Sequence, residues 1–431
     1  MNLARERILV TGGTGLIGSN LVLRLVRDEG VPPASIRVLY LGGGSTSSLR
    51  DLTGIELVAG DIVDPETATA ACRDRTLVFH TAGVTSFDPR LKRVQWLVNV
   101  EGTRNVLRAA AASRTVRRIC HTSTVNALGW PRPRGSLGTV SSCDPYAGRP
   151  SPFSFASAAE ALAFADAVHD GTAPARWQRR IGIGYFDSKL AAQEIVARAV
   201  YEEGLDAVSV LPGTSFGPRD TLIGTSLYLL QVRGNAVPGA SRTGLPLAHV
   251  EDVARAHVLA VQNGRPGGRY IATGRAEDNR SLADILRIIA DVLRRKEPLR
   301  RIRSDFPEVP GVAVWAAACF AEASARLRGA PCVLSRAAAR AASLPSFFSN
   351  EESERQIGYV PRRSFREAVE DAYEYLRANG LLDRSQREMD ALLAQPGLTR
   401  GARAAAAPGA IPRRSLGAAP RHPRPRLRRG G

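Results

Sequence analysis

The chain has 431 residues, 44% of them hydrophobic and 23% charged, and its 59 basic and 41 acidic side chains give a formal net charge of +18. This composition excludes a collagen, a coiled coil and a wholly disordered chain, and the length suffices for one large or two modest domains. The surplus of positive charge is compatible with a nucleic acid, an anionic membrane surface, a phosphorylated ligand or a basic tail.

Over the first 215 residues short β-branched runs alternate with helical patterns. Arg7 to Val10, Ile36 to Leu41, Ile55 to Ala59, Leu77 to Thr81, Arg118 to Thr122 and Ala207 to Leu211 read as buried strands. Between them, Leu16 to Arg27, Pro65 to Cys72, Val94 to Ala112 and Phe186 to Glu203 have helical spacing. Strand and helix in alternation predict an α/β fold with a parallel sheet covered on both faces. After Gly264 the pattern becomes helix-rich: Ser281 with Asp284 and Ser364 with Glu367 predict capping boxes, and Gly380 a helix stop. The tail, residues 391–431, contains nine arginines from Pro396 onward and no acid there, so it accounts for half of the net charge and is expected to be disordered.

Five cysteines, odd in number and without a Cys-x-x-Cys pair, predict neither a disulfide framework nor a zinc site. With no signal-peptide layout, a reduced cytoplasm is the expected location. The apolar stretch from Val312 to Ala321 stops at Glu322, short of the roughly 20 residues needed to span a bilayer.

Two motifs carry chemistry. TGGTGLIG follows the first strand directly and places Gly12, Gly15 and Gly18 at a strand-to-helix turn, where side chains would obstruct the turn, a pyrophosphate and the helix–sheet contact. In isolation such glycines can also serve packing alone; the strand before and the helix after favour the phosphate site. The second motif is Tyr185 and Lys189 in YFDSK, four residues apart and so on one helical face, where an ammonium can lower a phenol's pKa. With nine tyrosines and three lysines in the chain, chance would place such a pair only about 0.06 times.

Together with VAGDIVD, VFHTAG, NVEGTRNVL, HTSTVNALG, LPGTSFGPRD and LAHVEDVARAHVLAV, these motifs resemble the extended short-chain dehydrogenase/reductase family of NAD-dependent epimerase/dehydratase type, from about Arg7 to Leu382. Within it the chain looks most like the dihydroflavonol-reductase-like and sterol-dehydrogenase-like branch. The resemblance implies a Rossmann-type doubly wound parallel sheet over residues 1–275, with an insertion near 146–182, and a smaller, helix-rich C-terminal substrate lobe over 276–390. It also implies that Gly12, Gly15, Leu16, Ile17 and Gly18 hold the pyrophosphate and that Asp61 and Ile62 meet the adenine. His80, Ala82 and Gly83 would line the cofactor beside its ribose, and Pro212 and Gly213 would sit by the nicotinamide carboxamide. Thr124 takes the Ser/Thr position that hydrogen-bonds the reacting oxygen, Tyr185 is the general acid/base, Lys189 lowers its pKa, and Asn99 supports Lys189 through water. For His80, His121, His249 and His257 packing or a local hydrogen bond is favoured over catalysis.

The implied activity is interconversion of a secondary alcohol and a ketone with a dinucleotide. At the end of the second strand stand Leu41 and then Gly42, Gly43, Gly44, Ser45 and Thr46, with no acid to bind a ribose diol and with Arg50 nearby, so NADP is expected over NAD. A nucleotide-sugar epimerase on the same fold is the alternative enzyme; Val125 and Asn126 after Thr124 lack the acids of a dehydratase. A non-catalytic dinucleotide-binding regulator is the alternative of another class. Gly213 to Gly217 match the hydrolase G-x-S-x-G pattern, but Pro218 follows where a helix must begin.

The segment from Ser151 to Arg180, with Phe153, Phe155, Phe164 and Trp177 and a helical stretch at Ala156 to Val168, reads either as a structural insertion or as a lid over an apolar substrate. Arg294, Arg295, Lys296, Arg300, Arg301 and Arg303 form a basic run that is most simply solvated surface; beside the apolar Val312 to Phe320 segment, peripheral membrane contact is the alternative. Expected partners are a small carbonyl or alcohol and no nucleic acid, with homodimerisation left open.

Overall fold

The computed structural model describes residues 1–128, 183–329, 332, 334–342 and 347–383. The expected insertion helix, the lid and the basic tail lie outside the described residues.

The strands are β1 (Ile8–Thr11), β2 (Ile36–Tyr40), β3 (Glu56–Ala59), β4 (Leu77–His80), β5 (Arg118–Thr122), β6 (Ala207–Pro212), β7 (Thr214–Phe216), β8 (Ala240–Ser241), β9 (Gly244–His249), β10 (Arg269–Ala272), β11 (Asn279–Ser281) and β12 (Glu308–Val309). The described helices are α1 (Leu16–Arg27), α2 (Pro65–Cys72), α3 (Lys92–Trp96), α4 (Thr103–Ser113), α5 (Gly184–Tyr201), α6 (Leu227–Arg233), α7 (Val250–Asn263), α8 (Leu282–Lys296), α9 (Gly311–Arg328), α10 (Arg336–Ala341), α11 (Glu351–Ile357) and α12 (Phe365–Ala378).

Seven strands form one parallel sheet in the order β10-β6-β5-β4-β1-β2-β3. This is the expected Rossmann-type winding, and the strand order reverses between β1 and β4, where Thr11 pairs with His80. Strands β1 and β4 are buried at every residue because helices cover both faces. Alternation sorts their side chains: Ile8 and Val10 pack with Leu21, Leu25 and Val253 of α1 and α7, whereas Leu9 and Val78 pack with Val106 and Leu107 of α4. A crevice at the carboxyl ends of β1 and β4 is where such a fold binds ligands.

A second core joins Phe216, Leu229 and Leu247 to Ile285, Ile289 and Leu293 of α8 and to Phe365, Val369 and Leu376 of α12. It therefore draws residues from both sides of position 275, the chain leaving the sheet after β6 and returning through α7 and β10. The Ser364–Glu367 capping box is complete. At Ser281 only half of one forms: its Oγ accepts from the Asp284 N–H, but the Asp284 carboxylate reaches that same Oγ at 2.6 Å and not the backbone, since aspartate is one methylene shorter than glutamate. Gly380 takes a left-handed φ of +63° just past α12, as a stop requires.

The helix expected over Val94 to Ala112 is interrupted. Leu97–Gly102 is a π-helical stretch between α3 and α4, where Asn99 points to Val84 and Ser188 and Gly102 lies so close to Ile62 that a Cβ would come 2.6 Å from its Cδ1. Widened turns of this kind re-aim a side chain at the cost of helix regularity.

Candidate active site

The glycine turn is built for close approach. Gly12 has φ +68°, and a Cβ on it would stand 2.6 Å from the Ala82 Cα; a Cβ on Gly18 would stand 2.4 Å from the Gly12 carbonyl oxygen. Helix α1 opens at Leu16 with Gly15 as N-cap, no side-chain cap and no acid in the first turn. Its free N–H groups therefore face the crevice as an anion site. Gly83 is a second cradle, since a Cβ there would come 3.1 Å from Lys189 Nζ and 3.2 Å from Asn99 Oδ1. Both positions would suit the pyrophosphate and ribose of a dinucleotide. We expect Gly12→Ala to raise the dinucleotide Kd at least about tenfold and to destabilise the fold by ~1–3 kcal/mol, from left-handed strain and the Ala82 clash; titration and thermal unfolding read the two effects separately.

Tyr185 and Lys189 lie on the first turns of α5, and both are buried. The Tyr185 hydroxyl hydrogen-bonds with Thr124, from the turn after β5, and with Thr85, from the loop after β4. Lys189 Nζ donates to the Thr122 carbonyl at 2.9 Å. Asn99 Oδ1 accepts from the Val84 N–H at 2.8 Å, and its amide nitrogen donates to the Val84 carbonyl at 3.1 Å and the Ser188 hydroxyl at 2.9 Å. Ser188 in turn donates to the Tyr185 carbonyl at 2.8 Å. Asn99 thus ties the loop after β4 to the turn that presents the phenol, and its described bonds go to Val84 and Ser188 rather than to Lys189.

Burial pushes the Tyr185 phenol up, offset by hydrogen bonds to Thr85 and Thr124. The Lys189 ammonium is itself pushed down to about 8 by burial.

Two residues expected at the cofactor have buried side chains. The His80 ring is buried, with Nδ1 bonded to Thr11 Oγ1 at 2.7 Å and Nε2 to Thr103 Oγ1 at 2.9 Å. Burial pushes its pKa down to about 3, so it is a neutral tie between β1, β4 and α4. The Ile62 side chain is buried in the core under Gly102, leaving only backbone for an adenine. His257 and His249 make structural contacts. His257 Nδ1 donates to the Val253 carbonyl while its Nε2 meets the Thr122 hydroxyl, and His249 caps α7 through the Glu251 N–H and reaches Asp371. Ser215 is no nucleophile elbow, since β7 is followed by Gly217 and an irregular segment before α6.

Thr85 and Ser188 were not singled out by the motifs. A loop hydroxyl five residues past His80 has no spacing signal, and only the position of β4 at the strand-order reversal points to that loop. Arg219 was likewise missed: it donates to Asp51 Oδ1 at 2.9 Å and to the Ser48 carbonyl, 168 and 171 residues away in sequence.

Comparison with known proteins identifies the family. Residues 9–133 match the 3-beta hydroxysteroid dehydrogenase/isomerase family, and residues 151–272 match the NAD dependent epimerase/dehydratase family. A putative dihydroflavonol 4-reductase from Synechocystis is 31% identical over 284 residues, covering 64% of this chain and 69% of the relative. The chain belongs to the extended short-chain dehydrogenase/reductase family. A sterol demethylase protein B from Methylococcus capsulatus is 29% identical over 276 residues, covering 62% of this chain and 69% of that protein. The crystal structure of gox2253 superposes with a TM-score of 0.65 at 28% identity, covering 88% of this chain and all of the other. As a short-chain dehydrogenase/reductase of this type the chain is a dinucleotide-dependent oxidoreductase acting on CH–OH or C=O groups.

Proposed function

We propose that the protein is an NADPH-dependent reductase that interconverts an apolar ketone and its secondary alcohol. The observation that carries this reading is the meeting of the Thr124 and Tyr185 hydroxyls at the carboxyl end of the sheet, beside the glycine turn. A carbonyl oxygen between them accepts from both. As negative charge develops on that oxygen, Thr124 holds it and Tyr185 delivers the proton. Lys189, charged below about pH 8, supplies the nearby positive charge that makes loss of the phenol proton less costly. Asn99 and Ser188 keep the phenol aimed. Gly12, Gly15 and Gly18, with Ala82, Gly83, Pro212 and Gly213 alongside, would hold the dinucleotide, which when bound would supply the hydride in reduction and take it up in oxidation. Ile183 and Phe186 beside Tyr185 pack with Phe87, Ala337 and Ala341, which favours an apolar substrate.

The loop after β2 supports NADPH over NADH. Gly42, Gly43, Gly44 and Ser45 are exposed, Gly43 has φ +82°, and Arg50 is exposed at the loop's end. The nearest acid, Asp51, is engaged by Arg219 and Arg27 and held below the usual carboxylate range, chiefly by its hydrogen bond to Arg219. We expect Arg50→Ala to weaken NADPH about tenfold, the order of one charge-assisted phosphate contact, and to leave NADH unchanged, as measured by fluorescence titration. A panel of apolar ketones assayed for NADPH consumption tests the reductase reading; no turnover on any of them, with NADH binding the tighter, would reject it.

A further inference from the structure

Helix α9 carries its apolar residues on the wrong side for a soluble helix. Its buried residues are Ala318, Glu322 and Ala325, whereas Val312, Phe320 and Leu327 are 79%, 78% and 90% exposed. At ~100° per residue, these three share one face with Ala316 and Ala323, and no polar side chain interrupts it. Trp315 stands on its rim, 46% exposed. The helix's one carboxylate, Glu322, is turned inward and bound by Arg336 at 2.9 Å and Arg326 at 3.8 Å. Solvent therefore meets an unbroken apolar stripe where a monomer would place charge.

The stripe has a basic border. From Gly311 to Ala342 the chain has four arginines, Arg326, Arg328, Arg336 and Arg340, against that single buried acid. Apolar surface with an arginine rim and no exposed acid is the complement of an anionic lipid surface. A second copy of the chain would bring the same surplus of arginines to the contact. Among the described residues no helix is long and apolar enough to cross a membrane, so α9 would lie along the interface.

The hairpin of α9 and α10 is also fixed next to the phenol. The Ser335 hydroxyl donates to the Phe87 carbonyl at 2.5 Å, the Cys332 N–H to Asp88 Oδ2 at 3.2 Å, and Arg90 to the Gly329 carbonyl at 3.3 Å. Ala337 and Ala341 of α10 pack in the cluster that contains Tyr185 and Phe186.

We propose that the exposed face of α9 docks on an anionic phospholipid bilayer, with Val312, Phe320 and Leu327 entering the interface and Arg326 and Arg328 meeting the headgroups. The docking does not depend on the chemistry proposed for Tyr185, and its test requires no turnover. Full-length protein is mixed with phosphatidylcholine vesicles with and without phosphatidylserine and sedimented, beside the F320E/L327E double variant, whose two sites are solvent-facing and leave the core intact. The expected result is binding to the phosphatidylserine vesicles that the double variant weakens about 100-fold, the order for withdrawing two large apolar side chains. Brominated lipid should quench part of the tryptophan fluorescence, and Trp315→Phe should remove that part. Equal binding by wild type and double variant would assign the attraction to the arginine-rich tail and overturn the proposal. Failure of the wild type to bind would overturn it too; a dimer in solution that F320E/L327E dissociates would then identify a second copy as the occupant.

Discussion

Tyr185→Phe is expected to lower kcat for ketone reduction about 100- to 10,000-fold while leaving the NADPH Kd within about twofold. The magnitude is that of removing a positioned general acid. The fold should survive, because the ring packs with Phe186 and Ile183 through carbon and the hydroxyl's described partners, Thr85 and Thr124, are themselves hydroxyl groups that can turn to other acceptors. Stopped-flow reduction under saturating NADPH, with the dissociation constant measured separately, distinguishes loss of chemistry from loss of binding. An unchanged kcat would remove Tyr185 from the mechanism.

Lys189→Met is expected to act in opposite directions on activity and stability. In the folded protein burial holds the amine at about 8, against 10.5 for the free side chain. Below about pH 8 both folded and unfolded chains carry the charge, and the fold bears the full cost of burying it, ~3 kcal/mol from the difference between the two values. Between about 8 and 10.5 the unfolded chain binds more protons than the folded one, so stability rises with pH and the cost disappears. Methionine has similar length and no charge, and its loss of the Thr122 carbonyl bond costs about 1 kcal/mol. The variant should therefore be more stable than wild type by ~2 kcal/mol near pH 7 and lose that advantage toward pH 10.5.

Activity follows the other sign. With the ammonium gone, kcat for reduction should fall about 100-fold or more. The phenol is raised by burial and stays protonated across the neutral range, so the decline in wild-type rate as pH rises through about 8 reports Lys189 and not Tyr185. That decline should vanish in Lys189→Met. A decline that persists in the variant, together with lower stability near pH 7, would contradict both halves.

The sheet was legible because buried parallel strands leave short β-branched runs and the helices between them a clear period; β5, α1 and α2 lie where the sequence predicts them. The glycine turn and the Tyr185–Lys189 pair were legible because each is a local pattern. Long-range contacts were less so. The π-helical turn at Leu97–Gly102 hides within an unbroken helical period, because its cause is Asn99 meeting Val84 and Ser188 from two other elements. His80 resembled a wall of the site in its motif, yet its ring turns inward to Thr11 and Thr103, partners 69 and 23 residues away. The exposed face of α9 was visible only as an apolar segment, since periodicity does not tell which side a helix buries when Glu322 is the residue turned inward.

The most direct test of the reductase reading follows a label. NADPH carrying deuterium at the transferred position is incubated with a ketone that the panel identifies, and the product alcohol is examined by mass spectrometry. The mechanism predicts one deuterium on the carbinol carbon, formed by wild type and reduced in rate by the Tyr185→Phe factor in that variant. A product free of deuterium, as an epimerase with a retained dinucleotide would give, would contradict it.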